Sequence, residues 1–182
     1  MPEQPAYRID QYHFSNSDKL FWVANVWLFL HSPQYRPSDR RTHVYSSALK
    51  RMLEAQSRIF IDAIVLSEFV NALARFAFHI LPPQEKPANF KSFRRSSRYR
   101  PVAKSITTAC RKVLEFCTRI ESHFVSLDID ALLSQYESGA SDLNDLFLTD
   151  LCKSRNLTLV TDDGDFQGSG LKVLTANSRL LR

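Results

Sequence analysis

Glycine is scarce in this sequence, at 4 of 182 residues, and neither a GxGxxG nor a Walker-type pattern occurs. Dinucleotide and P-loop chemistry, which need glycines where backbone meets phosphate, are therefore excluded. Long apolar runs are also missing: none approaches the roughly 18–20 residues of a membrane span, so no membrane partner is expected. The opening Met-Pro-Glu-Gln-Pro has no charged-then-apolar leader pattern, and a cytoplasmic location is expected. Cysteine is limited to Cys110, Cys117 and Cys152, an odd number without CxxC, which fits reduced thiols rather than a disulfide framework. The five histidines lack metal-ligand spacing, and no serine or cysteine lies in a nucleophile motif.

What is present is an ordinary globular composition with 44% hydrophobic residues. The length suits a single domain over 19–182, preceded by a polar lead-in at 1–18 and containing a basic connector at 83–104. Net charge is +5, unevenly spread. Nine basic residues and no acid lie between Lys86 and Lys112, whereas acids gather from Asp128 onward and peak at Asp162, Asp163 and Asp165. A basic tract on a chain that concentrates acids elsewhere suggests a polyanion held against a metal site.

Apolar patterning predicts strands ending near Val23 and at 59–61, 125–127, 157–161 and 172–174. Helices are predicted through Leu30, at 45–56, at 63–80 after an Asp62 cap, from Pro101 to Phe124, at 129–136 and at 142–154. A turn at 138–141 precedes the last of these. Alternation of strands and helices implies an α/β fold with a parallel sheet. The helix over 63–80 reads as apolar nearly all round, so its Glu68 needs a partner or a cation. Leu157–Phe166 runs from an apolar strand into three carboxylates at the sheet edge where α/β proteins bind ligands. A hard cation would offset their repulsion, and a solvated acidic turn is the plainer alternative.

Four motifs in order, Ala-Asn-Val-Trp-Leu (24–28), Val-Leu-Ser-Glu-Phe-Val-Asn (65–71), Asp-Leu-Asn-Asp (142–145) and Leu-Val-Thr-Asp-Asp-Gly-Asp-Phe (159–166), resemble the PIN-domain family of metal-dependent ribonucleases. Many of these are toxins of bacterial toxin–antitoxin pairs. The resemblance implies a three-layer α/β/α sandwich with a central, mainly parallel sheet. It also implies Mg2+ or Mn2+ as cofactor, RNA as substrate, an antitoxin protein as partner and, by analogy, a homodimer. Glu68, Asp145 and Asp163 match the family's second to fourth acids and would ligate the metal. Asp165 matches a further acid in the same turn, Thr161 the small hydroxyl residue before it, and Asn25 the first motif's asparagine. Asp142 is either a supporting ligand or the cap of its helix.

The first motif departs from the pattern. The family has Asp-x-Asn there, with the aspartate ligating the metal, and this chain has Val23-Ala24-Asn25. Whether the empty place is Val23 or Ala24, no carboxylate stands in it, so weakened or absent catalysis is expected. A non-catalytic module that binds RNA or protein is the alternative. Lys91, Arg94, Arg95, Arg98 and Arg100 are candidates to bind RNA phosphates, with Phe90, Phe93 and Tyr99 to stack bases. A solvated connector is the other reading of that tract.

Overall fold

The computed structural model describes residues 6–139 and 141–182. The first five positions of the expected lead-in, and Ala140 in the expected turn, lie outside the described residues. Six short strands form one sheet: β1 (Ala6–Arg8), β2 (Lys19–Trp22), β3 (Arg58–Ile61), β4 (Cys117–Arg119), β5 (Thr158–Val160) and β6 (Val173–Thr175). Their order across the sheet is β1-β6-β5-β2-β3-β4, and every pairing is parallel. A central parallel strand is covered on both faces and reads as a continuous apolar run. Leu20, Phe21 and Trp22 of β2 are accordingly buried completely.

The helices are α1 (Ala24–His31), α2 (Arg40–Glu54), α3 (Ala63–His79), α4 (Phe90–Arg95), α5 (Tyr99–Phe116), α6 (Ile129–Glu137) and α7 (Leu143–Arg155). The chain steps outward from β2 through β3 to β4, then returns past β2 to β5. Right-handed crossovers place the outbound helices on one face and those of the return on the other. Packing agrees: α1 lies against α2 and α3, α3 against α5, and α6 against α7. The expected layered α/β/α arrangement is the one observed. Among the described residues no helix is long and apolar enough to cross a membrane.

Four sequence readings differ from the structure. Part of the lead-in is an edge strand: β1 pairs with β6, and Ile9 just beyond it is fully buried. The third strand is Cys117–Arg119 rather than 125–127, where a 3-10 turn (Phe124–Ser126) exposes Val125 entirely. A three-residue strand cannot be separated by periodicity from the helix it follows, because Cys117, Ile120 and Phe124 continue the helical spacing of α5. Helix α3 is not buried all round: Ser67, Glu68, Asn71 and Arg75 form an exposed polar stripe opposite Val65, Phe69 and Leu73.

The basic connector, finally, is a folded helical corner. Asn89 caps α4 by accepting the Ser92 amide at 2.9 Å. Phe93 is fully buried, with ring centroids 5.6 Å from Phe78 and 5.3 Å from Tyr99. Phe93 therefore cannot stack a base, because its ring anchors α4 to α3 and α5.

Candidate active site

Strand order reverses between β2 and β5, and the crevice beyond the carboxyl ends of two such strands is where α/β sheets place ligands. Val23 follows β2 as the cap residue of α1, 4% exposed and making no side-chain capping bond. Thr161 follows β5 and is fully buried. Asn25 joins the two strand ends: its amide nitrogen lies 3.4 Å from Thr161 Oγ1 and its oxygen 3.4 Å from the Asp162 amide. Thr161 Oγ1 also accepts the Asp163 amide at 3.0 Å. Asn25 and Thr161 thus fix the path of the chain into the acidic turn.

The three aspartates of that turn have separate tasks. Successive side chains leave a strand on opposite sides, and Asp162 is directed inward, away from its neighbours. Tyr45, fully buried on α2, donates to Asp162 Oδ1 at 3.0 Å, lies 3.1 Å from the Thr161 carbonyl and accepts the Ala176 amide at 3.0 Å. Arg41 Nε reaches Asp162 Oδ2 at 2.8 Å, and the Asn177 amide nitrogen donates to the Asp162 carbonyl at 2.8 Å. Asp162 is the tie that holds the turn to α2 and β6. Asp163 caps a 3-10 turn (Gly164–Phe166) through the Asp165 amide at 3.2 Å, and Asp165 is exposed. Sequence reasoning missed Tyr45, Arg41 and Asn177. Only the adjacent Asp162-Asp163 pair, whose side chains must diverge, signalled a structural acid beside a functional one.

Glu68, Asp145 and Asp163 share one electrostatic environment. Asp145, in the first turn of α7, has its carboxyl pushed up to about 7, first by burial and then by Asp142, Asp163, Glu68 and Asp165. Glu68 is raised by desolvation and by Asp142, Asp163 and Asp62, although part of its surface meets solvent. Among the described residues no basic side chain offsets either group, which is the condition a bound positive charge would relieve. Asp142 caps α7 by accepting the Asp145 amide at 3.1 Å and adds its charge to the same crevice. Of the two readings of Asp142, the cap is the one observed. Asp62 caps α3 through the Val65 amide at 2.9 Å, while its Oδ2 is buried without a partner among the described residues. Burial raises that carboxyl as well.

Carboxylate oxygens free of ion pairs suit a hard divalent ion. Among the described residues, however, no three His, Cys, Asp or Glu side chains are arranged to hold one ion together. The donor chemistry fits, but the structure does not draw Glu68, Asp145 and Asp163 into one coordinating group.

Of the basic candidates, Lys91, Arg94, Arg95, Arg98 and Arg100 are all exposed. Arg98 is engaged, with Nη1 2.8 Å from Glu85 Oε2 and 3.1 Å from the Glu85 carbonyl. They sit on α4 and the start of α5, against the far end of α3 from Glu68. The structure therefore does not gather them into the acid crevice.

The family description "PIN domain" matches residues 24–168. Among solved structures, VapBC2 from Rickettsia felis, bound to a DNA fragment from its promoter, is similar at 17% identity and a TM-score of 0.53, covering 86% of this chain and 97% of that chain. FitAcB from Neisseria gonorrhoeae is similar at 15% identity and a TM-score of 0.43, covering 85% and 96%. Among curated proteins, none matches this chain.

Proposed function

Because the chain belongs to the PIN domain family, as the match over residues 24–168 establishes, we propose that it is a PIN-type endoribonuclease, the toxin of a toxin–antitoxin pair, with catalysis weakened at Val23. The observation that carries this reading is the field shared by Glu68, Asp145 and Asp163 at the switch point of the sheet, offset by no basic side chain among the described residues. Glu68, Asp145 and Asp163 are the residues that would hold Mg2+ or Mn2+, and they would have to draw closer than they stand in the structure to do so together. When bound, such an ion supplies Lewis-acid stabilisation of a phosphodiester and an activated water.

The chain's own groups do the rest. Asn25 and Thr161 orient the turn that carries Asp163. Asp142 holds the first turn of α7, so that Asp145 faces the same crevice. Burial and the neighbouring acids raise the Asp145 carboxyl to about 7, and it would ionise on taking a cation as ligand. An RNA strand, attracted by the basic α4–α5 corner, is the substrate expected, and a protein antitoxin covering the acidic crevice is the expected partner.

Val23 favours a second reading, a PIN module that binds RNA without cutting it. The two separate on RNA cleavage with Mn2+, comparing this chain with Val23→Asp, Ala24→Asp and Asp163→Asn. We expect Val23→Asp to raise cleavage at least about tenfold, the scale on which losing one supporting interaction of a metal ligand acts. If neither restored variant exceeds the Asp163→Asn background, the nuclease reading fails.

A further inference from the structure

Beside the acid crevice the exposed face of α3 forms the floor of a groove of about 560 Å³, whose polar lining is Ser67, Glu68, Asn71, Arg75 and, from the start of α7, Asn144, beside apolar side chains such as Ile64. We propose that this groove holds the RNA next to the cleavage point, with Arg75 gripping the phosphate of a flanking nucleotide and Asn71 and Asn144 contacting an unpaired base or ribose. The proposal rests on the reading that RNA is the ligand, and it assigns a direction and an anchor to it.

Three observations support the assignment. Glu68, Asn71 and Arg75 recur at helical spacing on one face, and Arg75 lies seven positions after Glu68. At ~1.5 Å rise per residue this puts the guanidinium's helix position ~10 Å from the acid, within reach of the same short stretch of strand. Arg75 makes no ion pair among the described residues, so its donors remain available. It is nonetheless positioned: its guanidinium lies 5.2 Å over the Phe90 ring, and Phe90 is fixed edge-on to Phe78 at 5.8 Å. Stacking of this kind occupies the guanidinium's face and leaves its edge, the part that forks onto a phosphate, open.

The groove also leads somewhere. Phe90 opens α4, whose Lys91, Arg94 and Arg95 follow at once and are exposed. The groove thus joins two regions of opposite charge that are otherwise apart: acids where the phosphodiester would be cut and cations where its polyanionic continuation would lie. Lining amides such as Asn71 and Asn144 can bond to base edges only where these are unpaired, which makes a single strand the fitting ligand.

The test is fluorescence anisotropy with a fluorescein-labelled single-stranded oligoribonucleotide and the full chain in EDTA, so that no cleavage is required. Arg75→Ala is expected to weaken binding about five- to tenfold and to lower the log–log salt slope by about 0.7, as for one phosphate contact on a single strand. Arg75→Lys should keep the slope. Lys50→Ala, which removes the same charge from α2, should change neither quantity. If Arg75→Ala behaves like Lys50→Ala, the subsite is refuted. A duplex of equal length that competes as well as the single strand refutes the choice of ligand. Because binding is read without metal, the outcomes separate: cleavage by Val23→Asp with no effect of Arg75 removes only the subsite. Loss of binding in Arg75→Ala without any cleavage removes only the nuclease.

Discussion

Asp145→Asn is expected to stabilise the folded chain at alkaline pH while removing a group on which the proposed activity depends. The Asp145 carboxyl stands near pKa 7 because burial and four neighbouring acids oppose its ionisation. A folded pKa above the unfolded one means that the fold prefers the protonated form. Its contribution is whole below about pH 4 and is lost as pH rises through about 7. Each pKa unit is worth about 1.4 kcal/mol, so the full displacement corresponds to ~4 kcal/mol at pH 8. Solvent reaching the crevice screens these charges, and about 2 kcal/mol is the figure to expect. Asparagine has nearly the same shape and no charge, so the variant should match this chain near pH 4 and exceed it by about 2 kcal/mol at pH 8. Urea denaturation at both pH values, in EDTA, measures the difference. A variant no more stable at pH 8, or more stable by the same amount at both values, would show that the acids do not share a field.

Asp62→Ser should keep the α3 cap while removing a carboxylate whose Oδ2 is buried without a partner. Its raised pKa has the same sign, so the gain, on the order of 1 kcal/mol, should appear at pH 8 and fade toward pH 4 in thermal melts. Tyr45→Phe leaves the Asp162 carboxylate, the Thr161 carbonyl and the Ala176 amide short of a partner. It should cost about 2 kcal/mol in urea denaturation; an unchanged midpoint would mean that the hydroxyl does not hold the turn. Replacing Lys91, Arg94 and Arg95 together by alanine should lower the salt slope of single-stranded RNA binding by about 2. Replacing Arg98, already paired with Glu85, should lower it by less than the ~0.7 of a single replacement among the other three. Equal effects would remove the distinction between free and engaged cations.

The alternation of strands and helices, the acids and their order were legible because each rests on local physics. Asp62 and Asp142 stand directly before helices that the sequence predicts, and both cap them. The polar stripe of α3 was equally present in the sequence, yet the number of apolar residues around it concealed a continuous exposed face. Short edge strands were not legible. Ala6–Arg8 and Cys117–Arg119 are strands because β6 and β3 offer them free backbone edges, and nothing in three residues announces that.

The sequence by itself determined that the chain is α/β, that Glu68, Asp145 and Asp163 are its candidate ligands, and that no carboxylate stands at Val23 or Ala24. The first and the last follow from residue identity and patterning, which no packing can change, and the ligand candidates are what the resemblance to PIN domains implies. Tertiary structure decided which acids share a field and which is neutralised. Asp162 and Asp163 are adjacent and chemically identical, but the strand's alternation sends one to Tyr45 and Arg41 and leaves the other at the crevice. It also decided that the basic tract is a corner packed on α3 rather than a loose connector, because the buried Phe93 ring needed a surface to cover it.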